Sequence, residues 1–161
     1  MGTSRRTDEV IKMAEQNTQA QQQAVVLVFG YRRTGMGGFD DVTIISFRTK
    51  KPVSSRLHTS RSGRHDERTF KLLPAKYLLY KAQRSNLGNT YITVSVIEVT
   101  PAEPRGYREL QSWRLYDGKS PTDDVQKLPQ NIRELLISNK EELPLFCYVE
   151  EYLTTAGGES E

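Results

Sequence analysis

Short apolar runs alternate along this chain with long polar stretches, and their spacing predicts the element order (α)ββαββαβ. Ala24-Val-Val-Leu-Val-Phe29 is a continuous β-branched and aromatic run closed by Gly30, the pattern of a buried strand. A turn region rich in glycine follows, and Asp41 to Arg48 reads as a second strand forming a hairpin with the first. Ala75, Leu78, Leu79 and Ala82 fall at helical spacing behind Pro74, which predicts a helix ending near Arg84. Tyr91 to Val99 alternates, with Ile92, Val94 and Val96 on one face and Thr93 and Ser95 on the other, the pattern of a half-buried strand. Tyr107 to Tyr116 predicts a further strand, and Ile132, Leu135 and Leu136 a helix introduced by Leu128-Pro129. Leu143 to Leu153 predicts a last strand.

The expected fold is α+β: a mostly antiparallel sheet of about five strands with two helices on one face. Residues 1–23 form a polar, Gln-rich arm in which Asp8 to Gln23 has helix potential but few apolar positions. Residues 24–153 form one domain, and 154–161 a small, polar, flexible tail. Between Arg48 and Phe70 the only apolar residues are Pro52, Val53 and Leu57, so 49–70 is expected as a long basic loop.

Charge sharpens this picture. Residues 1–84 carry 16 Lys or Arg against 7 Asp or Glu, whereas residues 85–161 carry 7 against 13. Such asymmetry points to an anionic partner or to copies that meet basic to acidic. The longest unbroken apolar run has six residues, too short for a membrane-spanning helix. The first residues lack the apolar block of a secretory signal, and the single cysteine excludes an internal disulfide framework. The expected setting is the cytoplasm, or the cytoplasm or nucleus of a host cell.

Motifs for catalysis fail on inspection. Gly30-Tyr-Arg-Arg-Thr-Gly35 has the glycine spacing of a phosphate-cradling loop, but Met36 and Gly37 stand where Lys and Ser/Thr are required. His58 and His65 are seven residues apart with no cysteine nearby, a poor metal site. Cys147, flanked by bulky apolar residues, reads as a buried, inert thiol. No enzyme activity, cofactor, metal or small-molecule substrate is expected.

The basic residues carry the functional expectation. Arg32, Arg33, Lys50, Lys51, Arg56, Arg61, Arg64 and Arg68 form the expected contact set for the backbone of RNA or DNA, weakly specific for sequence. Tyr31, Phe39 and Phe70 flank this set without entering it, so base stacking is not indicated. The alternative is an assembly subunit, for example of a viral or phage coat, matrix or nucleoprotein. There the basic loop would dock on Glu141, Glu142, Glu150 and Glu151 of a neighbour. Anionic membrane surfaces rank third, because no apolar anchor accompanies the charges.

Overall fold

The computed structural model describes residues 23–33, 37–59 and 66–159, with side chains as far as 154. Its strands are β1 (Val25–Arg33), β2 (Phe39–Ser46), β3 (Ser55–Thr59), β4 (Asp66–Leu72), β5 (Lys76–Arg84), β6 (Thr90–Val99), β7 (Tyr107–Gly118) and β8 (Ser120–Pro121). Its helices are α1 (Asp124–Lys127), α2 (Gln130–Ser138) and α3 (Glu150–Glu159), with 3₁₀ turns at Lys140–Glu142 and Phe146–Tyr148. The strands run in the order β3-β4-β1-β2-β5-β6-β7-β8, all antiparallel. The expectation of about five strands and two helices is overturned: the described residues form eight strands and three short helices.

The hairpin of β1 and β2 is paired only at its tip, Arg32 with Asp40 and Arg33 with Phe39. From there the strands diverge, β1 onto β4 and β2 onto β5. The result is a first sheet, β3-β4-β1, and a second sheet, β2-β5-β6-β7-β8. A second corner joins them. The Ser46 N–H donates to the Lys51 carbonyl (3.0 Å) and the Val53 N–H to the Ile44 carbonyl (2.9 Å) before the chain enters β3. Strands that switch sheets at such corners let two sheets pack face to face.

Two apolar layers follow. Val25, Leu27, Phe70 and Leu72 of the first sheet bury against Val42, Ile44, Leu79 and Ile97 of the second. On the other face of the second sheet, Ile45, Leu78, Tyr80 and Val94 bury against Ile132, Leu136, Phe146 and Leu153 of the helical layer. The fully buried Tyr80 ties these layers together, its hydroxyl donating to the Pro144 carbonyl at 2.6 Å. Buried Arg133 donates through Nη2 to the carbonyls of Val125 (3.2 Å) and Leu128 (3.3 Å), closing the C-terminal end of α1.

Three expected elements change identity. Residues 76–84 are strand β5, not a helix. Tyr77, Leu78, Leu79 and Tyr80 are all buried because the strand is covered on both faces, and a continuous apolar run fits either period. The stretch 49–70 is not a loop throughout: it contains β3 and the start of β4. All of β3 is exposed, so it has no apolar alternation to reveal it. Residues 143–153 are a 3₁₀ turn and the start of α3, not a strand. Leu143, Phe146, Val149 and Leu153 are buried at helical spacing. Helix α3 runs on to Glu159, into the expected tail, while the arm at 1–22 lies outside the described residues.

Strand β7 pairs with β6 through two register shifts, which leave Leu110 and Leu115 without partners across the ladder. Such bulges bend and twist the strand. Among the described residues no helix is long and apolar enough to cross a membrane.

Gly106 is a point of close approach between the sheets. Its φ is +85°, and a Cβ built there would lie 2.7 Å from Val25 Cγ1. Gly106→Ala is expected to destabilise the fold by about 1–3 kcal/mol, combining left-handed strain with overpacking. Urea melts of the two proteins measure the difference; equal midpoints would show that the approach is not tight.

Candidate anion-binding surface

Residues that pair across an antiparallel ladder share a face, so register fixes what the first sheet presents to solvent. Arg56 lies across from Thr69, which lies across from Val28. His58, Glu67 and Gly30 form the next row, and Lys71 stands across from Val26. Phe70 and Leu72 point to the core from the alternate positions of β4, so these rows face outward. Val26 and Val28 are 54% and 52% exposed there. Arg32, two residues beyond Gly30, continues the same side of β1 and is exposed.

This face therefore holds Arg32, Arg56 and Lys71, all exposed, against one acid, Glu67. None of the three cations has an ion pair among the described residues, whose pairs engage Arg68, Arg108, Arg114, Lys127 and Lys140. Lys71 was outside the expected set. Its signal in the sequence was the alternation Phe70-Lys71-Leu72, which marks a core-facing strand with an outward lysine.

The remaining expected residues divide. Arg33 stands over two rings at the hairpin tip, 5.1 Å from the Phe39 centroid and 5.6 Å from that of Tyr31. Arg68 lies over the same Tyr31 ring at 4.8 Å, and its Nε is 3.0 Å from Asp41 Oδ1. Aromatic rings thus do interleave with the basic residues in space, although they only flank them in sequence. These cations are held by quadrupole attraction as well as by charge.

Lys50 and Lys51 sit beyond the other end of β2, about 24 Å along the strand from the hairpin tip. There the Lys50 carbonyl accepts from Asn139 Nδ2 at 3.0 Å. They do not share a site with Arg32 and Arg33. Arg61 and Arg64 lie outside the described residues, in the connection between β3 and β4.

The expected acidic set is all in the helical layer. Glu141 and Glu142 are exposed on a 3₁₀ turn, Glu151 is exposed on α3, and Glu150 pairs with Lys140 Nζ at 3.0 Å. Cys147 is exposed rather than buried, because its turn carries Phe146 into the core and leaves its neighbour outside. Among the described residues no group of three His, Cys, Asp or Glu is placed to hold a metal ion.

Asp41 is the buried charge of this corner, 5% exposed. Burial pushes its carboxyl above the ordinary 3.8, against the pull of the Val42 N–H (2.7 Å), Arg68 and Arg33. In the window just above 3.8 the folded chain keeps a proton that the unfolded chain has released, so stability falls as pH rises through it. Asp41→Asn cannot ionise and lacks that fall. Its stability relative to the parent is expected to rise from below pH 3.8 to neutrality in urea melts, whereas a difference independent of pH would contradict this account.

No protein-family model matches the chain, and no curated protein matches its sequence. Among solved structures it is similar to an engineered protein, with 17% identity and a TM-score of 0.45, over 58% of this chain and 60% of that one. It is also similar to a variant of ORF157 of Acidianus filamentous virus 1, with 16% identity and a TM-score of 0.47, over 74% of this chain and 76% of that one. The chain thus spans less than two thirds of the engineered protein it matches.

Proposed function

We propose that this protein binds the phosphate backbone of RNA or DNA through the outer face of its first sheet, without catalysis. The observation that carries the reading is the outward row of exposed cations, Arg32, Arg56 and Lys71, free of ion pairs among the described residues. Arg33, which shares the Tyr31 side of β1 rather than the Arg32 side, adds positive charge at the hairpin tip, and Arg61 and Arg64 add it in sequence. A sheet face with long basic side chains and no reading helix favours contacts to phosphate over contacts to base edges. Exposed Val26 and Val28 add apolar area for sugars or bases between the charges.

A second reading is supported by the position of the acids. Glu141, Glu142 and Glu151 lie in the helical layer, and the second sheet separates that layer from the first sheet. Opposite charge on opposite outer layers suits head-to-tail contact between copies.

With about five cations engaged on B-DNA, log affinity falls with log salt at a slope of roughly −4 to −5. Replacing Arg56 and Lys71 together by Gln is expected to reduce that slope by about two and to weaken binding to all sequences alike. Fluorescence anisotropy across a salt series reads both. Duplex and single-strand affinities unchanged in the double variant would overturn the reading. Light scattering without nucleic acid tests the second one, which predicts association that salt disperses.

A further inference from the structure

A cleft of about 580 Å³ runs between the β1 edge at Val25–Gly30 and the β6–β7 connection. Its size is that of ligand sites. Strand β1 pairs with β4 on one side, but on the other it meets β2 only at Arg32 and Arg33. Along the cleft, alternate residues of β1 therefore turn backbone N–H and C=O groups to an edge with no strand partner among the described residues. Gly106 closes one end against Val25, and Gly30, with nothing within 4 Å of a Cβ built on it, leaves the other open.

The chemistry of the walls is specific. Lys81 Nζ stands 5.8 Å from the Phe29 ring centroid, and the Arg105 guanidinium carbon 4.8 Å from that of Tyr107. The two rings are neighbours, 5.6 Å apart. Neither cation has an ion pair among the described residues, and both line the cleft. A cation parked over a ring is already partly desolvated and ordered, which lowers the cost of meeting an anion. Glu103 is the one carboxylate among the lining residues and also has no ion pair among the described residues. Two cations with a single acceptor carboxylate match a ligand bearing phosphate at one part and hydroxyl or amine donors at another.

We propose that this cleft binds a nucleoside phosphate, Lys81 and Arg105 taking the phosphate oxygens and Glu103 accepting from the sugar hydroxyls. The cleft borders the outward face, with which it shares Val26, Val28 and Gly30, but its charged groups, Lys81, Arg105 and Glu103, are not those of that face, and it stands without it. A free nucleotide and the phosphorylated end of a strand share this chemistry.

The test is an amide-resonance titration of the full chain with adenosine diphosphate, pyrophosphate and a 5′-phosphorylated oligonucleotide. Saturable shifts centred on Phe29, Gly30 and residues 103–106 are expected with the diphosphate, and weaker ones with pyrophosphate. Lys81→Gln and Arg105→Gln should each weaken binding roughly ten- to a hundred-fold, as expected for loss of one charge-assisted hydrogen bond. Gly30→Val suits a strand, and a Cβ at Gly30 meets no atom within 4 Å, so the variant is expected to fold; narrowing the open end, it should weaken binding. Resonances unmoved by millimolar diphosphate, or affinities unchanged in all three variants, would overturn the site; pyrophosphate binding as tightly as the diphosphate would overturn the nucleoside assignment. Competition by the oligonucleotide identifies a strand end as the source. Oligonucleotide binding that depends on Arg56 and Lys71 but ignores Lys81→Gln and Arg105→Gln leaves the sheet-face reading intact and the cleft to free nucleotides.

Discussion

Burial of the second sheet on both faces is the constraint from which the rest of this structure follows. The middles of strands β2, β5 and β6 lie between the first sheet and the helical layer, so most of their side chains are buried on one face or the other. Val42 and Ile44 serve one core while Ile45 serves the other, and Leu79 and Leu78 divide in the same way. The few polar groups admitted are mostly bonded locally. Ser46 Oγ accepts from the N–H groups of Arg48 and Thr49, and Ser95 Oγ meets Ser112 Oγ at 3.1 Å. Apart from Asp41 and Arg133, charged side chains are kept out of the buried core. The first sheet is built from residues before 73 and the helical layer from residues after 123, so the uneven charge of the chain becomes a difference between two opposite surfaces.

The same constraint decides what was legible in the sequence. Strand β6 and helix α2 could be read because one period dominates each. Strand β5 could not, since four consecutive buried residues satisfy helix and strand alike and the choice is made by β2 and β6 on either side. Strand β3 was hidden for the opposite reason: every residue in it is exposed, and its pairing with β4 supplies the order that its composition does not. After Leu143 the apolar residues keep helical spacing, but the dense run Leu145–Val149 is too short to tell helix from strand by its pattern alone. The site was legible only as charge. That Arg33 and Arg68 rest on Tyr31 requires the hairpin tip and the β1–β4 register, both products of long-range pairing.

The basic residues consequently play unlike roles. Arg68 is committed to the fold, its guanidinium held between a buried carboxylate and a ring. Removing one partner of such a pair costs more than the pair itself contributes, since the other is left uncompensated. Arg56 and Lys71 have no ion pair among the described residues and project exposed from the sheet. A count of arginines in the sequence cannot make this distinction; position across the ladder can.

Strand β7 has one further consequence. From Arg114 onward its outer edge is occupied by β8 and by Thr122–Asp124, but from Tyr107 to Trp113 that edge has no strand beside it among the described residues. An open flat edge is a template on which another molecule can zip indefinitely. Here the unpaired Leu110 bends the open part of the ribbon, and Arg108 and Glu109 charge its rim, so the row of groups a foreign strand would meet is interrupted. The bulge at Leu115 also lets that residue reach the interior.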